Sequence, residues 1–127
     1  MQYLSIDELQ AINEVVIEES GGSIGVREPG LLASIAHKPQ AGFGEDELYP
    51  DIFTKAAVLY EAIVNYHVFV DGNKRTGFAA AARFLAVNGY ELTVNNKEIE
   101  NYTVSIAVEN PDIETVAVWL KEHSRKQ

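Results

Sequence analysis

Cysteine is absent from the 127 residues, so disulfide cross-links and thiolate metal sites are excluded. No apolar run approaches the ~20 residues of a membrane-spanning helix, so no membrane association is expected. Basic residues are scarce: ten Lys plus Arg stand against nineteen Asp plus Glu, for a net charge of −9. Such a surface repels phosphate backbones, so general nucleic-acid binding is not expected, and it suits a partner with basic residues. Met1 to Asp7 show no basic cluster followed by an apolar stretch. No secretory leader is therefore expected, and the cytoplasm is the expected location. Internal repeats and low-complexity tracts are lacking too.

What is present is a chain with 46% hydrophobic and 23% charged residues, enough for one packed core. Its length predicts a single domain over 1–127. Helical periodicity dominates. Ser5 and Glu8 form a capping-box pattern, then Ile6, Leu9, Ile12 and Val16 share one face until Ser20-Gly21-Gly22 stops the helix. Pro29 opens a second, shorter helix that ends at Pro39. Gln40 to Tyr49 holds Gly42, Gly44 and three acids, and reads as an exposed loop or small hairpin.

Ile52, Ala56, Leu59, Ile63 and Tyr66 give a third helix a clean apolar face ending near His67. The fourth runs from about Asn73 to Asn88 and is apolar on almost every side, which predicts that it is central. Glu91 to Val94 reads as extended. Asn95 with Glu98 opens a fifth helix, and Asn110-Pro111 is expected to cap a sixth. Lys121, Arg125 and Lys126 would suit the dipole at its end. The expected fold class is all-α, about six helices around a central buried helix.

The chemistry concentrates in His67-Val68-Phe69-Val70-Asp71-Gly72-Asn73-Lys74-Arg75-Thr76. A helix start offers unpartnered N–H groups and a positive dipole end, so an anion is favoured there. Gly72 would let a phosphate approach the backbone. Lys74 and Arg75 add two cations, which are unfavourable at a helix start unless an anion offsets them. Asp71 is a hard oxygen ligand, and Mg²⁺ is commonly held by one or two carboxylates plus substrate phosphates. An imidazole such as that of His67 can take a proton from a hydroxyl near neutral pH. Asn73 can cap the helix or bond the loop. A base, a metal carboxylate and a phosphate cradle are the parts needed to move a phosphorus group from ATP to a hydroxyl.

This motif resembles the signature of Doc (death-on-curing) toxins, a branch of the Fic family. Gly25-Val26-Arg27-Glu28-Pro29-Gly30-Leu31-Leu32, Phe84-Leu85-Ala86-Val87-Asn88-Gly89-Tyr90 and Trp119-Leu120 also look Doc-like, so the resemblance covers nearly the whole chain. It implies the helical Fic fold and a single Fic/Doc domain. It also implies a catalytic His67, Mg²⁺ at Asp71, and ATP phosphates at Gly72, Asn73, Lys74 and Arg75. Gln40 to Tyr49 would be the flap beside a target segment, where Glu45-Asp46-Glu47 would help select basic residues. Doc toxins are implied to be protein kinases paired with an antitoxin that masks the active-site groove, with translation factors as the target class. Fic enzymes that transfer AMP carry a second Gly where Lys74 stands and a second Arg where Phe78 stands. Both departures agree with γ-phosphoryl transfer. AMP transfer by the same site is the alternative, and a non-catalytic nucleotide- or partner-binding module is the second.

Other residues carry simpler expectations. His37 and His123 are expected at the surface and Trp119 in the core, and Arg83 has no assigned role. Ser105 and Glu109-Asn110 match a loose inhibitory-helix pattern but are expected only to finish a regular helix.

Overall fold

Ser5 starts the first helix by reciprocal capping. Its Oγ accepts from the Glu8 N–H at 3.1 Å, and its own N–H donates to Glu8 Oε1 at 3.1 Å. The computed structural model describes residues 1–127, and this helix, α1, spans Ile6–Ser20. Pro29, at the start of α2 (Pro29–His37), needs no N–H partner there. A 3₁₀ turn, Lys38–Gln40, follows. The anticipated hairpin is present as β1 (Gly42–Phe43) paired with β2 (Asp46–Glu47).

The Asp51 carboxylate accepts from the N–H groups of Phe53 and Thr54 and starts α3 (Ile52–Tyr66). Next come α4 (Asn73–Val87), β3 (Tyr90–Leu92), α5 (Asn96–Glu109, capped by Asn95), α6 (Ile113–Glu122) and β4 (Ser124–Lys126). The chain is all-α apart from these short strands. No helix is long and apolar enough to cross a membrane.

The central helix is α3, not α4. Ten residues of α3 are buried against six of α4, and α3 packs on α2, α4, α5 and α6. Ala56, Ala57 and Ala62 of α3 and Ala80 and Ala81 of α4 belong to one core with Leu59, Tyr60, Phe84 and Leu85. Fully burying each large apolar side chain contributes roughly 1.5–3 kcal/mol. Gly77 sets how closely α4 approaches α3, since a Cβ there would lie 2.7 Å from Val64 Cγ2. The apolar character of α4 has another use. Its Phe78, Ala79 and Ala82 line open grooves, and Phe78 also packs against the core.

Two C-terminal expectations are corrected. Asn110 does not cap the sixth helix. It ends α5 in the left-handed region, with φ 48°, and Asp112 caps α6 instead, accepting from the Thr115 hydroxyl and N–H. Those two donors hold the Asp112 carboxyl below its ordinary range, the hydroxyl contributing most. Arg125 and Lys126 are not helical. They lie in β4, antiparallel to β3, with Arg125 opposite Glu91 at 3.2 Å. An exposed pair of this kind contributes about 0–1 kcal/mol, so backbone pairing is what holds the strand.

Trp119 is half-buried, sandwiched between Tyr102 at 4.0 Å and His123 at 4.4 Å. His123 is therefore not a free surface residue. Its Nδ1 lies 2.7 Å from the Trp119 carbonyl and its Nε2 3.8 Å from Glu98. His37 is exposed, and Ser105 and Glu109 sit in the regular helix α5.

Candidate active site

The segment Val68–Val70 is held on both edges like a short strand. On one edge, Arg27 N–H donates to Val68 C=O at 2.8 Å and Val70 N–H donates to Gly25 C=O at 3.0 Å. On the other, the Asn73 side chain takes the place of a neighbouring strand. Its Oδ1 accepts from Phe69 N–H at 3.0 Å and its Nδ2 donates to Phe69 C=O at 2.9 Å. The Gly25–Leu32 segment and the ten-residue motif, far apart in sequence, thus meet as one unit. The Asn73 amide is used up in bonding the loop.

Asn13, a 2% exposed residue of α1, ties this unit to the first helix. Its Nδ2 donates to Asp71 C=O at 2.9 Å and to Thr76 Oγ1 at 3.1 Å. A buried amide with such partners contributes stability only while the partners stay paired. The Gly21-Gly22 stop has a second purpose. A Cβ on Gly22 would lie 3.2 Å from Asp71 Oδ2, and that oxygen accepts from Ser23 N–H at 2.8 Å. Asp71 does not cap α4. One carboxylate oxygen is oriented by Ser23, and Oδ1 has no protein donor.

Gly72 precedes α4 with φ 76°, a conformation that L side chains rarely adopt. A Cβ there would lie 3.0 Å from Ile17 Cδ1 and 3.2 Å from Val16 Cγ1. The space that Gly72 leaves is therefore filled by α1. Gly72→Ala combines backbone strain with overpacking and should cost about 2–3 kcal/mol. Urea denaturation measures it, and an unchanged midpoint would refute this account of the loop.

No side chain caps α4, whereas α1, α3, α5 and α6 all have such caps. Thr76 N–H is the first in α4 to find a helical acceptor, Gly72 C=O at 2.9 Å. Lys74 and Arg75 project from this uncapped turn, exposed and without a carboxylate partner. Both line a groove of about 600 Å³ with Val16 and Glu19 of α1 and Asn96, Glu100 and Val104 of α5. A second groove of about 430 Å³ continues from it between α1 and α4, lined by Val15, Ala79 and Arg83.

His67 ends α3 in the left-handed region, with φ 50° and ψ 45°. Its side chain is exposed and makes no hydrogen bond within the protein. Neither His67 nor Asp71 lines the large groove. They stand instead at the two ends of the Val68–Val70 segment. No three His, Asp or Glu side chains gather as a metal cage. Reading residues alone missed Asn13 and Ser23. Their only local signal is a polar residue at a core position of α1 and a glycine pair longer than a helix stop requires.

A family model described as the Fic/DOC family matches residues 3–85. The chain belongs to the Fic/Doc family. "Toxin Doc" of Mycolicibacterium smegmatis is 36% identical over 102 residues, which is 79% of this chain and 78% of that protein. "Protein kinase doc" of Escherichia phage P1 is 31% identical over 121 residues, 95% of this chain and 94% of that protein. The Doc resemblance of the motif is thus matched by whole-chain similarity to Doc proteins. Phe78, one turn after Lys74, packs edge-on against Tyr60 at 6.0 Å.

Proposed function

We propose that this Doc protein is a growth-inhibiting toxin that transfers the γ-phosphoryl group of ATP to a Ser or Thr hydroxyl of a target protein. The observation that carries the reading is the start of α4, uncapped by any side chain and flanked by exposed Lys74 and Arg75. An anion there meets free N–H groups, the positive dipole end and two cations at once. Gly72, Asn73, Lys74 and Arg75 hold phosphates in this reading, the first two through the backbone.

Asp71 fits a divalent cation because one of its oxygens is oriented by Ser23 and the other is free. With no protein cage around it, the remaining ligands must come from phosphate oxygens and water, as suits Mg²⁺. When bound, the ion would neutralise charge on the phosphates. His67 takes the proton from the attacking hydroxyl. The hydroxyl oxygen bonds to the γ-phosphorus, the bond to the β–γ bridging oxygen breaks, and ADP leaves. The β1–β2 hairpin serves as the flap that receives the target segment.

The paired α1/α4 and α4/α5 grooves suit an antitoxin. Exposed Val15 and Val104 offer apolar contacts, and Lys74, Arg75 and Arg83 would meet acidic groups of the occupant. A translation factor in the cytoplasm is the proposed target.

The test is incubation with cell lysate and ATP labelled at either the γ- or the α-phosphate. Label from the γ position alone, with about 80 Da added to the target, is the expected result. Label from the α position would replace this reading with AMP transfer. No label from either, with growth unaffected by expression of the chain without its antitoxin, would favour a non-catalytic binding module.

A further inference from the structure

Lys55 is 0% exposed and is the only charged residue buried in the core. It lies on α3, outside the motif. An ammonium has three donors. Nζ donates to Pro39 C=O at 2.7 Å and to Glu47 Oε1 at 2.9 Å, and it sits 5.4 Å from the Tyr3 ring centroid. One bond therefore goes to the 3₁₀ turn that leads into the hairpin, and the other reaches the hairpin itself. Pro39 lies just before β1, and Glu47 is the last residue of β2.

Packing alone does not explain a charge at this place. An apolar side chain of similar volume would fill the space without the cost of desolvating an ammonium. The hairpin, by contrast, has little else to hold it. All four strand residues are exposed, Phe43 by 85%, and the flanking Leu48 by 56%. A two-stranded hairpin is marginal on its own in water. Its base has a second tie to α3, where Lys38 Nζ lies 3.3 Å from the hydroxyl of Tyr66, the residue before His67.

We propose that Lys55 is a positioning residue: it tethers the β1–β2 hairpin to the helix that ends in His67, and so sets where a target segment lies relative to the base. The inference rests on the transfer reading above and adds to it the residue that aligns the target. Without the tether, α3 and the phosphate cradle stay intact while the hairpin pivots. A target then loses a preorganised surface, but a nucleotide does not.

The test compares the full chain with Glu47→Ala, which removes the acceptor at a half-exposed site, and Lys55→Met, which keeps the volume. Hydrogen exchange reads the hairpin, including the Leu48 amide that bonds to Ala41 C=O at 2.9 Å. Label transfer from γ-labelled ATP across a lysate dilution series reads target docking. Exchange protection over residues 42–48 should fall about tenfold in both variants, with α3 unchanged. Half-saturating lysate should rise roughly three- to tenfold, while the maximal rate and the half-saturating ATP stay within about twofold.

Unchanged protection in Glu47→Ala overturns the tether. A fallen maximal rate with unchanged half-saturation overturns the positioning role. If Lys55→Met fails to fold, Glu47→Ala decides. A wild-type chain that labels nothing refutes the transfer reading and, with it, the positioning role, and exchange alone then judges the tether.

Discussion

His67→Asn should lower label transfer by about 10²–10⁴-fold, the usual contribution of a positioned general base. Asparagine is the informative replacement because His67 ends α3 at φ 50°, where Asn is among the best-tolerated non-glycine residues. The backbone turn that leads into Val68–Val70 is then kept, and only the base is removed. The side chain is exposed and makes no hydrogen bond within the protein, so the thermal midpoint should stay within a degree or two. His67→Ala should lose as much activity, and its expression without antitoxin should leave growth unaffected. Transfer by His67→Asn at more than about a tenth of the wild-type rate would remove His67 from the base role.

Asn73→Ala should have the larger effect on the fold. It removes both hydrogen bonds that close one edge of the Val68–Val70 segment and leaves the Phe69 N–H and C=O without partners. Phe69 as a whole is 1% exposed, so water reaches those groups poorly. Two unsatisfied backbone groups cost about 2–4 kcal/mol in total, or a drop of roughly 10 °C in melting temperature. Because the segment joins His67 to Asp71, its loosening should also weaken nucleotide binding. Calorimetry and ATP titration measure the two effects. A melting temperature within about 2 °C of wild type would refute the view that the Asn73 amide closes that edge.

Much of the local structure was legible in advance. The Ser5–Glu8 box, the Asn95 position and the apolar faces of α1 and α3 act over three or four residues, and each is found where its pattern predicts. The exceptions have physical causes. Asn110-Pro111 has the look of a cap, but Asp112 offers a carboxylate that Thr115 engages with two donors, and that stronger cap wins. The near-continuous apolar surface of α4 suggested a fully buried helix, yet part of that surface lines grooves left open between α1 and α5. Nothing near Lys55 in sequence announces the carboxylate and carbonyl that receive its charge.

By itself the sequence determined the helical class, most helix starts and the ten residues that bring an imidazole, a carboxylate and two cations together, since these depend on groups within a few positions of one another. Tertiary structure alone decided that α3 takes the centre, that Asn13 reaches Asp71 and Thr76 across 58 and 63 residues, and that β4 returns to β3. The physical reason is range. A cap or a helical face is specified by short-range geometry, whereas a buried amide or lysine finds its partners only after distant segments have packed together.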